Sequence, residues 1–129
     1  MIIQGLVNPQ ISSLVCRIRH TNTLVIADAA FPFWPQIETV DISLVKGIPT
    51  IIQVLDAILP NFKAGEVFMA REFKECNDRK TRNAFRRACR GVKMTFEPHI
   101  EFKKRVPLAI GLIRTGDTTP YGNLILVSV

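Results

Sequence analysis

The sequence predicts a three-layer α/β/α domain with a mostly parallel central sheet, formed as a single domain by residues 1–129. Short apolar runs alternate with amphipathic segments of helical period, which is typical of strands and helices that follow one another along the chain. Of the 129 residues, 47% are hydrophobic and 22% are charged, a composition sufficient for one packed core. We found no internal repeat and no linker-like stretch.

The first half of the chain contains two predicted helices and one predicted strand. Ser12 and Ser13 precede the apolar residues of a helix that we expect over residues 11–19. The continuously apolar segment 23–28 predicts a buried strand of the parallel type. Pro49 lies at the expected first turn of the second helix, and Pro60 ends it.

The second half continues the alternation. Asn77 or Asp78 is expected to cap a helix that runs to residue 89 and ends before Gly91. The other predicted elements are strands at 66–71, 92–96, 108–113 and 124–127 and a short helix at 98–104. We expect the last two strands to be neighbours, joined by the polar turn 114–123. Because ligands of such sheets bind beyond the carboxyl ends of strands, Asp28 and this turn are expected at one site.

The net charge of +6 is concentrated in one segment. Residues 71–93 contain nine basic and three acidic side chains, whereas the rest of the chain is balanced. This segment predicts a solvated helix face, and we expect no nucleic acid partner because no nucleic-acid motif accompanies it. A basic nucleic-acid binder remains an alternative, and salt-sensitive retention of DNA or RNA would distinguish it.

The remaining patterns exclude several classes of protein. No apolar run reaches the roughly 20 residues of a membrane span, and no signal peptide is recognised, so we expect a cytoplasmic protein without a membrane partner. The three cysteines lack metal-site spacing, which predicts free thiols. No glycine-rich phosphate loop and no metal-ligand pattern occurs, so we expect neither cofactor nor metal.

Few side chains are left for chemistry. Histidine exchanges protons near neutral pH, and His20 stands eight residues before Asp28, so a helix followed by a returning strand could bring the two together. Spacing leaves two interpretations of His20 open, a proton carrier or a cation at a helix C-terminus. Without further context we expect His99 to be a surface residue. Tyr121 and Asn123 could hydrogen-bond a polyol.

Several ordered motifs resemble the D-ribose pyranase and L-fucose mutarotase family. They cover both ends of the chain and most of its first 60 residues. The motifs are Ile11-Ser12-Ser13, Arg17-x-x-His20-Thr21-x-Thr23-Leu24-Val25, Asp28-Ala29, Pro32, Val40-Asp41, Gly47-Ile48-Pro49, Gln53-Val54-Leu55, Ile113-Arg114-Thr115-Gly116-Asp117 and Pro120-Tyr121-Gly122-Asn123-Leu124-Ile125-Leu126.

The resemblance implies an isomerase that opens and recloses a sugar ring by acid–base catalysis, without a cofactor. It implies His20 as the catalytic proton carrier. The implied sugar-binding residues are Asp28, His99, Lys103, Tyr121 and Asn123. It further implies sites between neighbouring subunits of a ring-shaped homo-oligomer, commonly a decamer of two stacked pentamers.

The sequence also departs from the family pattern. The family usually has glycine before the catalytic histidine, where this sequence has Arg19, and the loop containing Phe33 and Trp34 is bulkier than in ribose enzymes. The Tyr-Gly-Asn turn is closer to the fucose branch, whereas the chain length and the N-terminal motifs are closer to the ribose branch. We therefore predict a D-ribose pyranase that interconverts pyranose and furanose, with two alternatives, an L-fucose mutarotase and a non-catalytic sugar-binding protein.

Overall fold

The computed structural model describes residues 1–129 as six strands and five α-helices. The strands are β1 (Thr23–Ala27), β2 (Glu38–Asp41), β3 (Ala64–Ala70), β4 (Lys93–Glu97), β5 (Gly111–Arg114) and β6 (Leu124–Ser128). The helices are α1 (Pro9–Cys16), α2 (Ile51–Ile58), α3 (Glu72–Cys76), α4 (Arg79–Ala88) and α5 (His99–Arg105). Two 3₁₀ segments, Leu59–Asn61 and Val106–Leu108, follow α2 and α5. No helix combines the length and hydropathy that crossing a membrane would require.

The strands form one sheet in the order β2-β5-β1-β6-β3-β4. Five strands run in one direction, and only β6 is antiparallel to its neighbours β1 and β3. The predicted mostly parallel sheet is confirmed. The expectation that the last two strands are neighbours is wrong, because β1 lies between β5 and β6. The turn 115–123 therefore crosses over the carboxyl end of β1.

Side chains of the central strands alternate between two separate apolar clusters, which gives the three layers. From β1, Leu24 and Ile26 pack in the larger cluster with α1, α2, α3 and α4. Val25 and Ala27 point to the opposite face, where a smaller cluster contains residues of α5 and of the loop after β1. This arrangement follows from the period of two in a strand, and it explains why β1 has no polar side chain in its interior.

Helix boundaries follow the capping residues. Asn8, rather than Ser12 or Ser13, caps α1 by accepting the amide of Ile11. Thr50 caps α2 and forms a capping box with Gln53, so that α2 begins after the cap. Asp78 caps α4 as predicted, and the chain leaves this helix through two residues of positive φ, Arg90 and Gly91.

Two elements were not predicted from the sequence. Strand β2 has four residues, of which only Val40 is buried, so its hydropathy pattern is too short to stand out. Helix α3 has five residues and buries only Phe73. The strand expected at 108–113 begins later, at Gly111, because Leu108 still belongs to the 3₁₀ segment and the next two residues form a bend.

A close backbone approach holds the loop before α2 against the turn after β5. The amide of Gly116 donates to Pro49 O at 2.9 Å, and the amide of Gly47 donates to Gly116 O at 2.6 Å. A Cβ atom at Gly116 would collide with the carbonyl oxygens of Val45 and Ile48. Glycine is therefore required here by space rather than by backbone conformation.

We expect Gly116→Ala to lower the free energy of unfolding by about 2–3 kcal/mol, since both colliding atoms belong to backbone that cannot rotate away. The matched control is Gly65→Ala, whose added methyl meets only the side chain of Val129. Urea unfolding of the two variants measures the difference. Equal losses in both variants would contradict this interpretation of the contact.

Candidate functional site

The candidate site begins where β1 ends. The backbone carbonyl of Ala27 accepts both the amide and the hydroxyl of Thr115, at 2.9 and 2.8 Å. The next residue, Asp28, forms two hydrogen bonds with Asn123, which lies at the other end of the crossing turn. Asn123 Oδ1 accepts the Asp28 amide at 2.7 Å, and Asn123 Nδ2 donates to Asp28 Oδ2 at 3.3 Å. These bonds fix the direction of the Asp28 carboxylate, and Asp28 remains partly exposed.

Asp117 organises the same end of the sheet from below the surface. Its side chain is 5% exposed. Asp117 Oδ2 accepts the amide of Ile51 at the first turn of α2, and Oδ1 accepts the amide of Thr119. The backbone carbonyl of Asp117 accepts the amide of Ala29, directly after Asp28. A carboxylate at a helix N-terminus is stabilised by the unpaired amides and the dipole there.

The start of α5 supplies an aromatic wall. The His99 ring meets Tyr121 edge-on, with 5.1 Å between ring centroids, and stacks on Phe102 at 5.9 Å. The His99 amide donates to Glu72 Oε2 at 2.9 Å, which ties α5 to the first residue of α3. Nδ1 of His99 is buried and has no hydrogen-bond partner within the chain.

Tyr121 occupies a constrained turn beside this wall. Its φ is +54°, which is uncommon for a residue with a side chain. The Gly122 amide closes the turn on Thr119 O at 3.1 Å. Asn77 Nδ2 donates to Pro120 O at 2.8 Å and holds the turn against α3. The hydrogen bonds of Gly122 and Asn77 thus fix the turn that places the phenol ring at the surface.

The charges of this cluster influence one another. Burial lowers the pKa of His99, and the Lys103 ammonium lowers it further, while Glu72 and Asp28 act in the opposite direction. Burial raises the pKa of Asp28, against the hydrogen bonds that Ala30, Asn123 and Phe31 donate to it. The arrangement combines a carboxylate, an ammonium, an imidazole, a phenol and an amide. This is a set of donors and acceptors suited to the hydroxyls of a polyol.

Five of the six predicted site residues therefore belong to one end of the sheet: Asp28, His99, Lys103, Tyr121 and Asn123. Asn123 is 4% exposed and both of its polar atoms bond Asp28, so within this chain it positions the carboxylate. Trp34 and Phe33 face Lys103 across an open groove of about 560 Å³. The bulky loop thus flanks the cluster beside Lys103.

His20 lies at the opposite end of the sheet. It precedes the amino end of β1, whereas Asp28 follows the carboxyl end, and five strand residues of about 3.3 Å each separate the two by at least ~16 Å. The expectation that a helix and a returning strand bring His20 to Asp28 is wrong within one chain. A strand is straight, so its two ends cannot meet.

A tight turn displays His20 to solvent. The Asn22 amide donates to Arg19 O at 3.0 Å, and Thr21 within the turn has a φ of +68°. The imidazole is exposed and makes no hydrogen bond within its own chain. Thr21 is fixed to β6, since its amide donates to Ser128 O at 2.9 Å. The turn is therefore rigidly attached while its histidine is free.

The role of helix cap belongs to Arg19 rather than to His20. Helix α1 ends at Cys16, and the Arg19 guanidinium donates to the carbonyl oxygens of Cys16 and Ile18. The bond to Cys16 O pairs a carbonyl at the C-terminal end of the helix and directs the Arg19 side chain back towards α1. The interpretation of His20 as a C-terminal cap is wrong.

Sequence reasoning did not single out the positioning residues Glu72, Asn77 and Asp117 for these roles. The Thr-Gly-Asp motif was a signal for Asp117, since a carboxylate in a small-residue turn commonly accepts backbone amides. Glu72 and Asn77 carry no comparable signal, because their partners lie 27 and 43 residues away. No group of three or more His, Cys, Asp or Glu side chains is placed to hold a metal ion.

Comparison with known proteins gives a consistent result. A sequence model of the RbsD / FucU transport protein family matches residues 1–129. The D-ribose pyranase of Chromobacterium violaceum is 40% identical over 124 residues, covering 96% of this chain and 94% of the relative. The D-ribose pyranase of Geobacillus kaustophilus is 37% identical over 124 residues, covering 96% and 90%.

Solved structures share the fold. Bacillus subtilis RbsD complexed with D-ribose superposes with a TM-score of 0.91 at 28% identity, covering 99% of this chain and 97% of that one. The fucose mutarotase of Streptococcus pneumoniae in complex with L-fucose has a TM-score of 0.79 at 20% identity, covering 95% and 92%. At that identity the second likeness concerns the fold alone.

The burial of His99 predicts a pH dependence of stability. Its pKa is lower in the folded than in the unfolded state, so the unfolded state binds more protons just below the ordinary value of 6.5. The contribution of His99 to stability is complete above pH 6.5 and is lost as the pH falls below it. Between about pH 7.5 and pH 5, the wild type should lose more free energy of unfolding than His99→Gln.

Urea unfolding at several pH values measures this difference. His20→Gln controls for the loss of an imidazole as such, because it makes the same substitution at the exposed histidine. Parallel curves for the wild type and His99→Gln would contradict the assignment.

Proposed function

The chain belongs to the RbsD / FucU family, and on this premise we propose that it is a monosaccharide ring isomerase, a D-ribose pyranase that interconverts pyranose and furanose. The observation that carries the proposal is the cluster at the end of β1. There the Asp28 carboxylate held by Asn123, the His99 imidazole, the Tyr121 phenol and the Lys103 ammonium converge at a partly exposed surface. The relatives named D-ribose pyranase cover almost the whole chain.

The chemistry requires only proton transfer. A base removes the proton of the anomeric hydroxyl while an acid protonates the ring oxygen, and the ring opens to the aldehyde. Reclosure through the same hydroxyl exchanges the anomers, and closure through the neighbouring hydroxyl gives the furanose. We assign the proton transfer to His20, whose imidazole is free of other bonds, and sugar binding to Asp28, His99, Lys103, Tyr121 and Asn123.

His20 must come from a second copy of the chain, because it cannot reach Asp28 of its own. We therefore propose a homo-oligomer with sites between subunits, in the form of a decamer of two pentameric rings. Exposed apolar side chains support a covered surface beside the site: Leu44, Val45 and Ile48 lie in the loop that bonds Gly116. We place this assembly in the cytoplasm.

An L-fucose mutarotase is the second candidate, favoured by the Tyr-Gly-Asn turn. In that enzyme the ring would reclose through the same hydroxyl, so that only anomers exchange. A non-catalytic sugar-binding protein is the third candidate, supported by Arg19 and by the bulky loop that contains Phe33 and Trp34. The guanidinium of Arg19 is occupied by the carbonyl oxygens of Cys16 and Ile18, which weakens the argument from Arg19, whereas the loop still flanks the cluster beside Lys103.

We expect His20→Ala to slow ring exchange of its preferred sugar by about 10²–10⁴-fold while sugar binding is retained. Saturation-transfer NMR with D-ribose and L-fucose measures exchange and identifies the sugar, and calorimetry measures binding. Arg19→Gly is the control, since it changes the neighbouring residue and leaves the imidazole in place. Unchanged exchange in His20→Ala would refute the assignment, and binding without any exchange by the wild type would favour the non-catalytic alternative.

A mixing experiment tests the divided site. His20→Ala and Asp28→Asn subunits should each be inactive as pure assemblies. After unfolding and joint refolding in equal amounts, random assembly should restore about one quarter of the sites, those that combine an intact His20 with an intact Asp28. Lys103→Met replaces Asp28→Asn if the latter does not fold. Exchange that stays at the level of the pure variants in the mixed assemblies would show that both residues act from one chain.

A further inference from the structure

A second concave surface lies on the helical face of β4, outside the sugar-binding cluster. It is a groove of about 770 Å³ between α3, α4 and the edge strand β4. We call it the arginine groove, after Arg79, Arg82 and Arg86, which line it together with Lys74. None of the sugar-binding residues lines it, so the groove is a separate site.

The cations of the arginine groove are not neutralised by close ion pairs within the chain. Lys74, Arg79, Arg82 and Arg86 form no ion pair, and no carboxylate lines the groove. Arg86 bonds only the neutral amide of Asn83, at 2.6 Å. The three arginines occupy positions i, i+3 and i+7 of α4, so they share one helix face and repel one another. Such a row of unpaired cations beside a cavity is electrostatically complementary to a polyanion.

The opposite wall of the arginine groove is apolar. Val92, Met94 and Phe96 alternate along β4 and its preceding residue, so they share one face of the strand, and all three are only partly buried. The Lys74 ammonium lies 3.9 Å from the centroid of the Phe96 ring. That contact occupies the aromatic face on which a base of a nucleic acid strand would stack, which disfavours a single-stranded nucleic acid.

We propose that the arginine groove binds a nucleoside polyphosphate, with its phosphates along the arginines and its base against Val92 and Met94. Seven helical residues separate Arg79 from Arg86, a span of about 10 Å, which is the length of a short phosphate chain rather than of one phosphate. The groove volume is that of a typical small-ligand site, about 300–1,000 Å³. Guanidinium groups provide the forked donors that phosphate oxygens accept.

Calorimetry of the whole protein tests the ligand class, with four probes in buffer free of divalent cations: ATP, inorganic triphosphate, adenosine and a thymidine oligonucleotide. We expect ATP to bind more tightly than triphosphate, adenosine to bind undetectably, and the affinity for ATP to fall with added salt. Equal binding of triphosphate and ATP would overturn the assignment of a nucleotide. Tighter binding of the oligonucleotide than of ATP would indicate a nucleic acid as the ligand instead. Absence of ATP binding would refute the proposal.

Charge reversal locates the site. Arg86→Glu should weaken ATP binding at least about ten-fold, equivalent to about 1.4 kcal/mol. Arg87→Glu is the matched control, because the adjacent Arg87 is exposed on the same helix and does not line the groove. Arg82→Gln tests the same wall without reversing the charge if Arg86→Glu does not fold. Equal losses in Arg86→Glu and Arg87→Glu, or a changed native mass in Arg86→Glu, would overturn the proposal. Ring exchange is measured separately and does not depend on this result.

Discussion

The buried carboxylate of Asp117 is the interaction on which the functional end of the molecule depends. One of its oxygens holds the N-terminus of α2, the other holds the turn at Thr119, and its backbone carbonyl holds the residue after Asp28. A neutral side chain of similar size cannot accept the Ile51 and Thr119 amides with the same strength, because charge-assisted hydrogen bonds are about twice as strong as neutral ones. The helix, the crossing turn and the end of β1 are therefore fixed relative to one another by a single residue.

The separation of His20 from Asp28 makes the proposed activity dependent on the proposed assembly. Each chain has the proposed sugar-binding cluster at one end of its sheet and the exposed imidazole of His20 at the other. A head-to-tail contact brings unlike ends together, and a closed ring is the arrangement in which every such contact is made. The positive φ of Thr21 and the bond from its amide to Ser128 O fix the backbone beside His20, as the proposed shared site would require.

Much of the fold could be predicted because its signals are local. The apolar run of β1, the Asp78 cap and the alternation of elements depend on neighbouring residues, and the family prediction, which used motifs in order, is confirmed. The neighbours of β6 could not be predicted, since strand spacing along the chain does not state which strand lies between two others. The distance from His20 to Asp28 could not be predicted for a similar reason. A separation of eight residues is compatible with a chain that folds back on itself and with one that runs straight along a strand.

The position of β6 has a consequence for how the sheet forms. This strand is the last along the chain, yet it lies in the interior of the sheet and pairs with both β1 and β3. Until it is in place, the group β2-β5-β1 and the pair β3-β4 each expose an unpaired edge to solvent. A nascent chain therefore cannot complete its sheet before the segment Leu124–Ser128 has been synthesised. The chain is most prone to aggregation while these two edges are open, and chaperone binding to the nascent chain is most useful during that period.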